Sequence, residues 1–304
     1  MDDRERQLEQ EGAQRQRVAL LAIAAGILYL VGEFGAWLAS SKTPTVGLLQ
    51  GLSPALHGLR AAHVDPRTDV IRFLDKHAVD NVLFALVSAA GLIAMRWPLR
   101  YLLNAAVARD NRPAPITLGL ASFAPPLIGL GGLVETVSLQ TGAHGYLTHS
   151  ARTAAAVTAA TAGSFRLSLL LAVFVLTVCT AFVFIMVGRR AMNAGLLTKV
   201  MGWLGVACGF LFIIQIVQVP LLQFAFLVGI GMTLLQLGGL TRPPAWETGE
   251  AIPWVSQAQL RAQARGPRAP REPRARRTTT TPTPAPTVPA SASFGSSRKR
   301  KRRR

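Results

Sequence analysis

The sequence predicts an all-α polytopic membrane protein, a bundle of six transmembrane helices with both termini inside (N-in/C-in) and a disordered basic C-terminal tail. Hydrophobic residues make up 50% of the 304-residue chain, and the mean hydropathy is +0.32. Residues 167–188 carry no charged side chain. With a rise of 1.5 Å per residue, this segment would form a helix of about 33 Å, the thickness of a bilayer's hydrocarbon core. The net charge of +18 gathers toward the C-terminus, outside the apolar segments.

Other apolar segments complete a predicted transmembrane bundle over residues 18–240. We place the spans at residues 18–40, 81–103, 116–139, 167–188, 200–217 and 220–240. Residues 200–240 lack any charge but are too long for one span, so we divide them just before Pro220. Pro125 and Pro126 fall in the third span. Proline removes an N–H donor, so we expect this helix to kink or break.

The segments between and before the spans are polar. We expect residues 1–17 to be a cytoplasmic N-terminal tail, either a short helix or disordered. Residues 41–80 should hold one or two short helices that begin at Ser53 and Asp65, because each precedes a proline and can cap a helix. Residues 141–164 are rich in Ala and Thr and are predicted to form a loop with a short helix.

The placement of Lys and Arg predicts the orientation, because cytoplasmic connections carry more of them. With six spans, four segments share one side of the membrane. They hold 4, 4, 3 and 15 Lys and Arg in residues 1–17, 96–112, 189–199 and 241–304, respectively. Residues 41–80, on the opposite side, hold five. We therefore predict that both termini are cytoplasmic and that the protein lies in the plasma membrane.

Glu33 is an ionisable residue inside the first predicted span. A charged side chain at the bilayer centre costs about 2.5–3.5 kcal/mol on insertion scales, so Glu33 must face the bundle, pair or be protonated. Glu135 and Asp80 lie toward the same predicted outer side. The three carboxylates would line an outward-facing cavity that binds a cation or carries protons. The structural alternative is a hydrogen bond from Gln or Ser of a neighbouring helix, or an ion pair with Arg72, Lys76 or Arg166.

All five histidines lie in the two predicted outer connections: His57, His63, His77, His144 and His149. With nearby aspartates they could form an external metal or pH-sensing site. None makes an i, i+4 pair or an HExxH motif, and exclusion from lipid explains their position, so no metal site is predicted. Cys179 and Cys208 both fall in spans without CxxC spacing. We interpret them as apolar packing residues.

Residues 241–304 form the predicted cytoplasmic tail, which is polybasic and mostly disordered. It opens with an irregular juxtamembrane segment around Trp246, and its Pro-, Thr- and Ala-rich composition cannot bury enough apolar surface to fold. A basic run closes it. This run can contact anionic lipid or another polyanion. No aromatic residue interleaves it, so nucleic acid is not expected as a partner. The contacting residues would be Arg298, Lys299, Arg300, Lys301, Arg302, Arg303 and Arg304.

Catalytic motifs are absent from the sequence. It has no P-loop, GxGxxG or GxSxG pattern and no paired catalytic carboxylates at a recognisable spacing. We predict a protein that is not an enzyme and that needs no cofactor.

Two stretches carry a family resemblance. DPRTDVIRFLDKHA, from Asp65, and GRRAMNAGLLTKVMGWLGVACG, from Gly188, each lead into an apolar span near a basic edge. Together they resemble uncharacterised multi-pass membrane proteins of actinobacteria, grouped under domains of unknown function. The resemblance covers residues 18–240 and implies no activity and no site residue.

Two hypotheses for the function follow from these features. The first is a non-enzymatic scaffold or regulatory membrane protein that works through partners and its tail. The second is a transporter of a small solute, an ion or protons through the cavity around Glu33. A water-accessible cavity at Glu33 would favour transport, whereas a sealed bundle with Glu33 paired would favour the scaffold. An intramembrane enzyme is a third hypothesis that no motif supports.

Overall fold

A computed structural model describes residues 3–47, 65, 67–110, 113–149, 153–161, 163–214, 220–237, 243 and 245–252. The described residues form α-helices and no strand, so the predicted all-α class is confirmed. The helices are α1 (Asp3–Ser40), α2 (Thr68–Lys76), α3 (Ala78–Asp110), α4 (Pro115–His149), α5 (Ala154–Thr161), α6 (Ser164–Asn193), α7 (Lys199–Ile214), α8 (Leu221–Leu235) and the single turn α9 (Ala245–Thr248). The predictions for Ser53 and for the basic run fall outside the described residues. Of the predicted tail, residues 243 and 245–252 are described, and α9 lies among them.

Four long helices are apolar enough to cross a membrane. They are α1, α3, α4 and a segment that joins α5 to α6, over Glu9–Ser40, Ala78–Asp110, Pro115–His149 and Ala155–Asn193. They contain the first four predicted spans. Large apolar side chains such as Ile27, Phe123 and Phe174 are exposed along them, which suits a lipid environment better than water. Helices α7 and α8 are apolar too but shorter, with 16 and 15 residues.

Three local expectations change. Described residues of the N-terminal tail, from Asp3, are helical and continuous with the first span. Residues 141–149 extend α4, so the loop predicted there is wrong; the Thr141 and Thr148 hydroxyls bond to carbonyls one turn back and so fit the helix. The third span does not break, because α4 runs through Pro125 and Pro126. Neighbouring helices stabilise such prolines in a membrane bundle.

The bundle is built on close contact between α1 and α3. A Cβ added at Gly91 would lie 2.5 Å from the Tyr29 backbone nitrogen, and one at Gly32 would collide with the Ser88 backbone. Small residues thus allow the two backbones to meet, which dispersion forces reward in lipid. Helix α1 also packs on α8, α3 on α4, α4 on α6, and α6 on α7. The buried core lies between these helices.

The bundle has two structurally different ends. At the first, which we call the tail end, the early turns of α1, the last turns of α3, the connection after α6 and residues 245–252 meet. At the second, the α2 end, α2 packs on the last turns of α4. There the Thr68 hydroxyl hydrogen-bonds to the Tyr146 hydroxyl at 2.8 Å, beside a small core that includes Ile71 and Val157.

Replacing Gly91 by alanine should destabilise the bundle. The new methyl group has no room against the α1 backbone, so α1 and α3 must move apart at a cost of about 1–3 kcal/mol. Gly119→Ala is the matched control, since nothing lies within 4 Å of a Cβ at that position. Thermal unfolding in detergent should show a lower midpoint for Gly91→Ala only. Equal midpoints for the two variants would contradict the close crossing.

Candidate functional site

A cavity of about 380 Å³ lies near the α2 end, between α1, α3 and α4. Its walls carry both apolar and polar side chains, and two of the polar ones are carboxylates, Glu33 and Glu135. We call it the carboxylate cavity. Its other polar lining residues include Asn81, Ser88, Thr136 and Gln140.

Glu33 is half-buried and accepts one hydrogen bond, from the Ser88 hydroxyl of α3 at 2.6 Å. The close α1–α3 crossing at Gly32 brings these two side chains together. Of the structural alternatives, Glu33 therefore shows the hydrogen bond from a serine, and Glu135 shows the ion pair with Arg166. Among the described residues no Lys or Arg, Lys76 included, pairs with Glu33. Arg72 bonds to Asp69, and Arg166 bonds to Glu135.

Glu135 is partly exposed and has a cationic partner. Its Oε1 lies 3.5 Å from Arg166 Nη2, and the Arg166 guanidinium also donates to the Thr161 carbonyl. The charge of Glu135 is thus compensated locally. One turn and a residue further along α4, Gln140 is only 7% exposed, and its Oε1 has no hydrogen-bond partner in the part of the chain that the structure describes.

Asp80 does not line the carboxylate cavity. Its side chain is 61% exposed in the first turn of α3 and lies 3.4 Å from His77 Nδ1. The structure therefore brings Glu33 and Glu135 to one cavity and leaves Asp80 outside it.

Phe73 and Leu74 of α2 line the carboxylate cavity. Asp65 precedes this helix, which begins three residues later, at Thr68. The Asp65 carboxylate accepts from the Arg67 backbone N–H at 2.8 Å and from the guanidinium at 2.9 Å. The bond to the Arg67 side chain is the main reason that the pKa of Asp65 is lowered. Asp65 thus stays ionised and orders the entry into α2.

The histidines do not come together. His144 lies 3.1 Å from Asp75 across α2 and α4, while His77 lies near Asp80. His57 and His63 fall outside the described residues. Within the described ranges, no three His, Cys, Asp or Glu side chains are placed to hold a metal ion. Cys179 and Cys208 are free thiols.

The tail end holds a second polar arrangement, centred on Trp246. This side chain is 1% exposed, and its Nε1 donates to the Leu196 carbonyl at 3.0 Å. Its ring stacks on Tyr101 with centroids 5.6 Å apart. The guanidinium groups of Arg109 and Arg15 lie 5.1 and 5.5 Å from the ring centre, at cation–π distance.

A buried ion pair supports this arrangement. Arg109 donates two hydrogen bonds to Glu11, at 2.8 and 3.1 Å, and their side chains are only 1% and 11% exposed. Arg109 Nε also donates to the Ala245 carbonyl at 2.9 Å, and the Tyr101 hydroxyl donates to the Glu11 carbonyl at 3.0 Å. Helix α1, helix α3 and residues 245–252 thus share one network. We call Glu11, Tyr101, Arg109 and Trp246 the docking cluster.

The connection after α6 also contacts residues 245–252, next to the docking cluster. Gly195 has a φ of +74°, and a Cβ there would collide with the Ile252 carbonyl. Only glycine allows both the left-handed turn and the close passage of the chain. This contact is not predicted from the sequence, where Trp246 falls in an irregular juxtamembrane segment. A bulky aromatic just after a proline pair was the available signal.

No family model, no curated protein and no solved structure matches this chain. The fold alone therefore defines the class of protein: a helical protein with four helices long and apolar enough to cross a membrane.

Removing the negative partner of the buried ion pair should destabilise the tail end strongly. Glu11→Gln leaves the Arg109 guanidinium buried without a carboxylate, which costs about 3–5 kcal/mol in comparable pairs. Glu9→Gln, the same change two residues earlier on an exposed position, is the control. Thermal or urea unfolding of the purified protein measures the difference. If both variants unfold like the wild type, the ion pair does not support the fold.

Proposed function

We propose that this protein is a plasma-membrane scaffold or regulatory protein, not an enzyme, that holds its basic tail at the cytoplasmic face of the bilayer. The observation that supports this most is the burial of Trp246 in the docking cluster. Residues 245–252 are the last described part of the predicted tail, and the bundle contacts Ala245 and Trp246 through five polar or aromatic contacts. A tail that only trailed from a last span would need no such attachment.

The proposal includes six spans with both termini in the cytoplasm. The early turns of α1 and residues 245–252 both bond to Arg109, so they lie at the same end of the bundle. The chain between them then crosses the membrane an even number of times. Four long helices give an even number. Helices α7 and α8 would add two more, although their 16 and 15 residues cover only about 24 and 23 Å. The Lys and Arg distribution favours the cytoplasm as the side of the tail end.

Impermeant thiol labelling in intact cells tests this orientation. A cysteine at Gly145, near the α2 end, should react, and one at Ser293 should react only after the cells are opened. Gly145 accepts the substitution, because nothing lies within 4 Å of a Cβ there. Cys179 and Cys208 are first replaced by alanine to remove the background. Labelling of Ser293→Cys in intact cells would contradict the proposed orientation and indicate the reverse one.

Binding to anionic vesicles tests the role of the tail. The full chain in nanodiscs should bind phosphatidylserine vesicles at low salt, since each Lys or Arg near an anionic surface contributes about 1 kcal/mol. Deletion of residues 298–304 should abolish most of this binding. Deletion of residues 278–284, which has the same length and removes no charge, is the control. If both deletions bind like the full chain, the basic run is not the contact.

A transporter is the second candidate, and the carboxylate cavity is the observation that favours it. An open space beside a half-buried Glu33, with a single hydrogen bond to Ser88, can hold a cation or pass a proton. A cavity at Glu33 is the outcome expected from the sequence to favour transport, and the hydrogen bond from Ser88 does not seal it.

Uptake into proteoliposomes tests this candidate. If protons or cations pass through the carboxylate cavity, Glu33→Gln should reduce their uptake on the order of tenfold or more, because it removes the charge that meets them. Glu9→Gln should leave uptake unchanged. Equal uptake by the wild type and Glu33→Gln would exclude a route past Glu33.

A further inference from the structure

We propose that the carboxylate cavity binds a small organic amine in its protonated form, a monocation with at least one N–H donor and an apolar body. This deepens the second candidate function by naming the class of ligand, and it rests on the same cavity. Binding is measured without transport, so a failure of transport does not count against the binding site.

The charges around the cavity indicate a ligand with one positive charge. Two carboxylates, Glu33 and Glu135, line the cavity. Arg166 compensates Glu135 at 3.5 Å, whereas Glu33 has no cationic partner among the residues that the structure describes. An uncompensated carboxylate inside a bundle is unfavourable, so a single positive charge beside Glu33 is the complement that the site lacks.

Gln140 indicates that the ligand is a hydrogen-bond donor. Gln140 is only 7% exposed, and it lines the same cavity as Glu33. Its Oε1 has no partner within the described ranges. An amide oxygen can only accept hydrogen bonds. This oxygen has almost no accessible surface, so an N–H group of the ligand would satisfy it once the Gln140 side chain turns toward the cavity. A quaternary ammonium, which has no N–H, would leave it unsatisfied.

The remaining walls favour an organic rather than an inorganic cation. Apolar side chains from five helices contribute to the lining, and they include Phe73, Phe84, Leu92, Ile128 and Val173. A hard metal ion is usually held by several carboxylates among its oxygen ligands, and no three His, Cys, Asp or Glu side chains of the described residues are placed to hold one. The volume of about 380 Å³ lies within the range of about 300–1,000 Å³ that small-molecule sites occupy.

Calorimetric titration of the full chain in nanodiscs tests the proposal, with empty nanodiscs as the blank. Three probes share one apolar body: 2-phenylethylamine, its trimethylammonium analogue and 2-phenylethanol. We expect saturable binding of the amine, binding on the order of tenfold weaker for the trimethylammonium analogue, and none for the alcohol. This comparison needs no variant. Equal affinities for the three probes, or no saturable binding of the amine at millimolar concentration, would overturn the proposal.

Two variants then assign the contacts. Glu33→Gln should weaken amine binding on the order of tenfold or more, while Glu9→Gln should not change it. Gln140→Leu should weaken binding of the amine but not of its trimethylammonium analogue. The difference in affinity between the two probes should therefore become smaller. Thermal midpoints confirm that each variant is folded. Because Gln140→Leu leaves both carboxylates in place, it tests the site even if Glu33→Gln does not fold. Unchanged amine affinity in a folded variant of either residue would remove that residue from the site.

Discussion

The buried ion pair between Glu11 and Arg109 is the interaction on which the tail end of this protein depends. A guanidinium that is 1% exposed requires a carboxylate in fixed geometry, and Glu11 meets it with two hydrogen bonds. The remaining Nε–H of Arg109 reaches the Ala245 carbonyl, and its planar face lies beside Trp246. One arginine thereby links two helices and the segment that leads to the tail. Arginine suits this role better than lysine, because its planar group donates in several directions at once.

The two ends of the bundle treat carboxylates differently. Glu11 is fully matched by Arg109, while Glu33 receives one neutral donor, Ser88, and borders open space. Matched burial stabilises a fixed arrangement, whereas incomplete matching beside a cavity leaves an interaction for a ligand to make. This contrast is the physical reason for assigning attachment to the tail end and binding to the α2 end.

The sequence predicts the parts of this fold that lipid imposes. Long apolar runs mark the four long helices, and the uncharged residues 167–188 fall within α6 as expected. Prediction from the sequence fails for residues whose contacts are far away along the chain. Residues 3–17 are polar and carry no strong apolar pattern, so their helix is stabilised by contacts with Tyr101 and Arg109 that no local signal announces. Trp246 is buried for the same reason.

The candidate site shows the same division. That Glu33 must face a polar neighbour followed from its position in a span, but nothing local distinguishes Ser88 from other hydroxyl groups. The meeting of Glu33 with Glu135 followed from the topology alone. Asp80 was predicted to line the same cavity because it lies at a similar predicted depth in the membrane. Direction around the helix decides the outcome, and in the first turn of α3 its side chain points to solvent.

Helix α1 carries both Glu11 and Glu33, and Arg109 and Ser88 of α3 donate hydrogen bonds to them. The two acids are about six helical turns apart, so they lie near one face of a single rod. Between them, Gly32 and Gly91 lie at the close crossing, where any larger residue would collide with the partner backbone. The glycines and the two polar contacts at opposite ends together fix the longitudinal register of α1 against α3. A ligand that shifted α1 at Glu33 would therefore shift the whole helix and change its contacts with Arg109 and Trp246.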